Sequence, residues 1–351
     1  MIPLATRAAI DDAIDDSLRR IRQRASELGG GFDALGEAVV RATAGGKRFR
    51  PALVAASFTA FGGDCDDCAA LYPVAAAFEL LHTAFVVHDD VIDHDTVRRG
   101  IPNVVGEFRR RALERGADAG GAVILGDAAA ILAGDLLLHE ASRLIALADT
   151  APQVRARLFG LLDDAIYVSA AGELADVENA VTPDYAAAEM IFDATFNKTA
   201  VYSFSAPLCA GALLAGASEK AIAALDAEGG RLGLAFQLVD DLIGAFGSAE
   251  QAGRDEGGDL RESKRTPLIA LARQTPMWSR VNDALAIAHT GPIAVREAQI
   301  ALEESGARLR LRALIGDTLE TVRSAAEEPA FPIQARPLIR DLADRVEERI
   351  P

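Results

Sequence analysis

The sequence predicts one large all-α domain covering residues 1–351. Three observations predict it. Long apolar stretches with helical spacing recur along the chain and are broken by Gly or Pro. No segment alternates apolar and polar residues as a half-buried strand does. No linker-like stretch is long enough to separate domains, although 351 residues exceed the usual domain size.

The elements follow in order. Ala8 to about Leu28 has helical spacing, and Gly29-Gly30-Gly31 breaks it. Ala34–Thr43 is a short helix ended by Gly45-Gly46, and Pro51 opens the next, which runs to Phe61. The apolar run through Glu79 to Val91 is a helix with neither Gly nor Pro. Gly100 to Gly121 is rich in Arg, Glu and Gly and reads as a loop around one charged helix. Ala122–Ala148 and Pro152–Ala180 are long helices, and Gly134 inside the first suggests close helix packing. Pro183 opens a helix that continues to Gly211. Ser218–Asp241 is expected to turn at Gly229-Gly230 before a second acidic helix. Gly244–Arg265 reads as a loop, and helices punctuated by Pro and Gly complete the chain.

Half of the residues are hydrophobic and only 5% aromatic, enough for a large core. The net charge of -16, with no face dominated by Arg and Lys, argues against nucleic acid as a partner. It also means that an anionic substrate must be captured by local cations. Cys65 and Cys68 form one Cys-x-x-Cys pair without a second, and with Cys209 they read as reduced thiols. The start of the chain lacks a basic stretch followed by an apolar run, so a cytoplasmic location is expected. Val74–Val87 contains Glu79 and His82 and is too short to cross a bilayer, so no stable membrane insertion is expected.

Candidate chemistry lies where acidic residues end apolar helices. Asp89 and Asp93 lie four residues apart on one helical face, with Asp90 beside them and His82 two turns earlier. Three carboxylates on a greasy helix require neutralisation, which a divalent cation supplies, and Arg98 and Arg99 follow at once. A diphosphate bridged by magnesium fits both charges. A second pair, Asp240-Asp241, ends another apolar stretch, so the two segments look like two jaws of one metal site.

These residues occur in five ordered blocks. They are Gly46-Lys-Arg-Phe-Arg-Pro51, His82 to Gly100, Lys198-Thr199, Phe236-Gln-Leu-Val-Asp-Asp241 and Gly258-Asp-Leu-Arg-Glu-Ser-Lys-Arg-Thr-Pro267. The chain thereby resembles the trans-isoprenyl diphosphate synthases, the polyprenyl synthetase family, over about residues 45–268, and within it most resembles a bacterial geranylgeranyl diphosphate synthase. The resemblance implies a bundle of long helices around a deep central cavity and a homodimer. It implies head-to-tail condensation of isopentenyl diphosphate with an allylic diphosphate (dimethylallyl, geranyl or farnesyl). It implies magnesium, about three ions per active site, with manganese able to replace it.

Carried over residue by residue, the resemblance makes Asp89, Asp93 and Asp240 metal ligands. Asp90 and Asp241 become further ligands or their hydrogen-bonding neighbours. Lys47, Arg50, His82 and Arg99 would hold isopentenyl diphosphate. Arg98, Lys198 and Lys264 would hold the allylic diphosphate, with Thr199 and Gln237 as polar neighbours. Arg254 stands near a further family lysine. Glu173 and Asp176 match a family Gly-Gln/Glu-x-x-Asp pattern, and helix packing is an equal reading of them. His88 and His94 receive no catalytic role, because the family's released diphosphate takes the proton. One departure stands out: the second motif ends in Gly244 where the family commonly has aspartate.

Product length is read from the residues before Asp89. In the family, bulky aromatics at the fourth and fifth residues before the first aspartate stop growth at fifteen carbons. Here Phe85 is bulky and Ala84 small, with Leu81 and Phe78 one and two turns deeper. Geranylgeranyl diphosphate is therefore the expected product, with farnesyl diphosphate or a longer prenyl chain as alternatives. A class I terpene cyclase fits less well, since Gly244 and Ser248 replace its second metal motif and Lys47, Arg50 and His82 would be unneeded. A non-catalytic subunit would be expected to have lost the aspartates.

Overall fold

The structure, a computed structural model, describes residues 2–65, 67–252 and 256–351. They are almost wholly helical, as expected. Two compact units emerge: Met1–Leu162 with Ala210–Gly216, and Asp163–Cys209 with Ala217–Pro351. The boundary near Leu162 falls inside the continuous helix Pro152–Val181.

In the first unit, Leu71–Ile92 packs against Ala119–Ala146 and also meets Leu4–Leu28 and Phe49–Ala60. Phe78, Leu80, Leu81 and Leu137 are fully buried, as is Ala133. Truncating one such Leu or Phe to Ala would cost roughly 2–5 kcal/mol. The expected close approach at Gly134 is present: a Cβ there would overlap the His88 imidazole. Buried Glu140 is ion-paired with Arg20 and Arg143, and buried Glu79 with Arg48.

The charged loop after the first acidic helix contains structure that alternation could not reveal. Val97–Arg98 pairs with Ile101–Pro102 in an antiparallel hairpin only two residues long on each side. Helix Val104–Glu114 follows, capped by the Asn103 side chain accepting from Gly106 N–H at 2.9 Å.

Two helices, Leu71–Ile92 and Ala119–Ala146, are long and apolar enough to cross a membrane by length and composition. The first extends past the Val74–Val87 stretch, and 67% of its most apolar window is buried in the protein.

In the second unit, Glu219–Phe246 is the central helix, packed on Phe196–Ser205 and Ala307–Ala325. It runs unbroken through Gly229-Gly230, which corrects the expected turn. Both glycines are buried because a neighbour sits where side chains would be. A Cβ at 229 would lie 2.7 Å from Ser205 Cα and one at 230 would lie 3.0 Å from the Phe196 ring, and at Gly233, further along the helix, one would lie 2.5 Å from Ala200 Cα. The helix-weakening cost of glycine is thus offset by close packing. The helix expected from Pro183 to Gly211 is divided: Ala188–Thr195 is α, Phe196–Ser205 is a π-helix, and Ala206–Leu214 is α again. The expected loop after Gly244 is also shorter than expected, since the helix continues to Phe246 and Gly258–Arg261 adds one turn.

Candidate functional site

In the first unit, helix Leu71–Ile92 carries Asp89 and Asp90 in its last turn, and Asp93 sits at its C-cap. The Asp93 N–H donates to the Asp89 carbonyl at 2.8 Å, so the two aspartates keep the four-residue spacing of one face. A helix C-terminus already bears partial negative charge, and three carboxylates there favour bound cations. The protein supplies one itself. Arg98 donates to Asp90 Oδ1 from Nε at 2.8 Å and from Nη2 at 2.6 Å, and Nη2 lies 3.7 Å from Asp89 Oδ2. Asp90 is buried, and burial raises its pKa against the pull of Arg98.

The hairpin explains how Arg98 is aimed. Arg99 and Gly100 both take positive φ, 53° and 78°, which is the demand of a type I′ turn. The turn folds Arg98 back toward the helix end. His82 lies among Arg50, Arg98 and Arg99, and burial with these three charges lowers its pKa well below the imidazole range. It is therefore neutral at pH 7 and available to share in holding an anion.

Lys47 is exposed at the end of the glycine turn, and Arg50 is half-buried. Between them Arg48, which sequence reasoning passed over, takes φ 51° and clamps the turn. It donates to Asp11 and Glu79 at 3.0 Å and to the Thr43 carbonyl at 2.9 Å. Nothing in a run of three cations announced which one faced inward.

In the second unit the π-helix presents Lys198 and Thr199. Lys198 Nζ donates to Glu173 and Asp176, each at 3.0 Å. These two carboxylates therefore position the lysine. Gly172 makes the contact feasible, because a Cβ there would overlap the Lys198 backbone nitrogen. Thr199 Oγ1 donates to Gln237 Oε1 at 3.2 Å, and Gln237 Nε2 donates to Asp241 Oδ1 at 3.1 Å. Asp240 is ion-paired with Arg349, whose guanidinium lies 4.1 Å over the Phe236 ring. Arg308 and Arg312 donate to the Pro351 carbonyl and so hold that segment. A metal at Asp240 must compete with this arginine, which no local sequence signal ties to residue 240. Lys264 Nζ lies 3.3 Å from Glu262 and 3.9 Å from Asp259. Arg254 lies outside the described residues.

Asp241 is buried, and its Oδ2 has no hydrogen-bond partner among the described residues. Burial, with Asp259, Asp240 and Asp176 nearby, holds its pKa well above the carboxylate range. The folded chain thus binds this proton more tightly than the unfolded chain, and stability falls as pH rises from the ordinary carboxylate range through the raised value. Asp241→Asn is expected to raise the melting temperature of the metal-free protein more at pH 8 than at pH 4. Equal melting curves at both pH values would contradict this electrostatic account.

Magnesium fits these residues. Among the described residues no three His, Cys, Asp or Glu side chains form a ready-made cage. Magnesium rarely needs one, since it binds through one or two carboxylates, waters and substrate phosphates. The orphaned, crowded Asp241 oxygen is the observation that asks for a cation.

Ahead of Asp89, Phe85 is half-buried, whereas Ala84, Leu81 and Phe78 are fully buried.

The polyprenyl synthetase family model matches residues 33–299. A geranylgeranyl diphosphate synthase of Sulfolobus acidocaldarius is 34% identical over 65% of this chain and 63% of its own length. A short chain isoprenyl diphosphate synthase of Methanothermobacter thermautotrophicus is 33% identical over 88% of this chain and 87% of its own. A (2E,6E)-farnesyl diphosphate synthase of Mycobacterium bovis is 34% identical over 75% of this chain, and the match spans 63% of that protein. Among solved structures, a geranylgeranyl pyrophosphate synthase of Corynebacterium glutamicum, complexed with isoprenyl diphosphate and magnesium, superposes with a TM-score of 0.88. It is 27% identical and covers 98% of both chains.

Proposed function

The chain belongs to the polyprenyl synthetase family, and from that premise we propose that it is a magnesium-dependent short-chain trans-prenyl diphosphate synthase. It condenses isopentenyl diphosphate with dimethylallyl, geranyl or farnesyl diphosphate and releases diphosphate. The observation that carries the reading is the Arg98-Arg99 hairpin folded back onto the acidic end of Leu71–Ile92. It sets cations for an anion beside carboxylates for a metal.

The roles follow from the local chemistry. Magnesium, about three ions with manganese as a substitute, would be held by Asp89, Asp93 and Asp240. It would stabilise the charge of the departing diphosphate without proton transfer. Arg98, Lys198 and Lys264 bind the allylic diphosphate. Lys47, Arg50, Arg99 and neutral His82 bind isopentenyl diphosphate. Glu173 and Asp176 keep the Lys198 ammonium in place, and Thr199 and Gln237 orient Asp241.

Incubating the purified chain with magnesium, isopentenyl diphosphate and each allylic primer tests the reading. Prenyl diphosphate formation that stops when the metal is chelated is expected. Absence of product with every primer would overturn it.

Geranylgeranyl diphosphate is the proposed product, with farnesyl diphosphate as the alternative. Half-buried Phe85 is the single aromatic at the fourth and fifth positions before Asp89. Phe85→Ala is expected to lengthen the products. Ala84→Phe is expected to shorten them, at a packing cost of roughly 1–3 kcal/mol because Ala84 is fully buried. Unchanged lengths in an active Phe85→Ala enzyme would remove the basis for the twenty-carbon product.

A homodimer in the cytoplasm belongs to the same proposal. Its support is an exposed apolar stripe on Ala119–Ala146, where Ile124 and Ile131, 72% and 47% exposed, are seven residues apart beside Leu125 and Leu132.

A further inference from the structure

Next to Lys264 stands an arginine that the proposed roles do not use. Arg265 Nη1 donates to the Asn179 carbonyl at 2.6 Å and to the Asp184 carbonyl at 3.1 Å. Its guanidinium carbon lies 4.3 Å from the centre of the Tyr185 ring. Arg273, the last residue of helix Pro267–Arg273, grips the same stretch of chain. It donates to the Ala186 carbonyl at 2.8 Å, and its guanidinium carbon lies 4.5 Å from the centre of the same ring. Trp278 meets Tyr185 edge-on, with ring centres 5.4 Å apart. Tyr185 and Ala186 are half-buried, whereas residues 181–184 just before them are exposed. The two guanidinium groups therefore hold backbone and ring together. Arginine suits this task because it offers several donors in one plane and a flat face for an aromatic ring.

The two ends of this staple lead to two lysines assigned to one anion. Asn179 lies three residues after Asp176 and six after Glu173 on helix Pro152–Val181. Those two carboxylates hold Lys198 Nζ, each at 3.0 Å. At the other end, Arg265 directly follows Lys264. The backbone there is strained: Ser263 takes φ 55°, a left-handed conformation that serine keeps only where its surroundings enforce it. The Lys264 N–H donates to the Asp259 carbonyl at 3.0 Å, and Arg265 fixes the chain on the other side. We propose that Arg265 is a positioning residue for the allylic diphosphate: one guanidinium ties the helix that holds Lys198 to the backbone that carries Lys264, and so sets both lysines for the same anion. The competing role is purely local, in which the two arginines only pin residues 182–187.

The inference rests on the proposed function, which assigns Lys198 and Lys264 to the allylic substrate, and one set of kinetic measurements separates the two. Each substrate is varied in turn with the full chain, and melting temperature controls for folding. If the parent forms no product with any primer, the functional reading fails and the inference falls with it. With an active parent, Arg265→Met and Arg265→Lys are each expected to raise KM for the allylic diphosphate by about tenfold. KM for isopentenyl diphosphate is expected to stay within about twofold of the parent. Lysine keeps the charge but lacks the planar fork and the stacking face, so it should not rescue. Tyr185→Phe keeps the ring and is expected to match the parent, whereas Tyr185→Ala should raise the allylic KM. If the Arg265 variants do not fold, the two Tyr185 variants decide. A lowered melting temperature with both KM values unchanged would make the contact purely local and overturn the inference. Parent-like allylic KM in Arg265→Lys would make Arg265 a charge near the anion and overturn it too, as would equal rises in KM for both substrates.

Discussion

Asp89→Ala and Asp240→Ala are each expected to lower turnover at saturating magnesium by roughly a thousandfold, a loss of about 4 kcal/mol from transition-state charge stabilisation. The fold should survive both. Asp89 is partly exposed at a helix end, where removing a carboxylate relieves repulsion from the helix dipole. Asp240 is also partly exposed, and its partner Arg349 keeps the Phe236 ring when the carboxylate is gone. Circular dichroism and melting temperature provide the control. Near-normal turnover in either folded variant would show that the two acidic motifs do not serve one reaction.

The second large effect separates the two anions. Lys198→Ala is expected to raise KM for the allylic diphosphate far more than for isopentenyl diphosphate, by roughly 2–4 kcal/mol. Part of that loss arises because Glu173 and Asp176 lose the ammonium that each of them meets at 3.0 Å. Lys47→Ala should show the opposite preference and a smaller effect, because Lys47 is exposed and solvent screens it. Steady-state kinetics with each substrate varied in turn measures both. Equal changes for both substrates in either variant would mean that the cations are not divided as proposed.

The long helices were legible in the sequence because each pays for its burial in apolar residues at local spacing. Leu71–Ile92 could be read from its own residues, and so could the common face of Asp89 and Asp93. What escaped depends on residues remote in sequence. Gly229-Gly230 looked like a turn, since glycine weakens a helix wherever its surroundings are unknown. Only the Ser205 backbone against Gly229, and the Phe196 ring beside Gly230, show what the glycines make room for. Gly244 looked like a gap in the motif for the same reason, and the overlap that a Cβ there would make with Asp259, fifteen positions later in the chain, could not be read locally. The Arg98–Asp90 pair could be anticipated as charge beside charge. The hairpin that aims it has strands too short for any alternation to register. Arg349 on Asp240 joins residues 109 positions apart, a separation at which composition says nothing.

The π-helix Phe196–Ser205 gives this chain an unequal tolerance to insertion and deletion. A wide turn accommodates more residues per turn than an α-helix, so losing one residue from it lets the segment tighten into ordinary helix. One residue of α-helix corresponds to about 100° of rotation. A shortened segment could thus continue from Ala188–Thr195 as regular helix while Lys198 swings away from Glu173 and Asp176. The same point in the chain is permissive for architecture and unforgiving for chemistry, and single-residue length variation there is a route by which a helical scaffold of this kind could keep its shape and change what it binds.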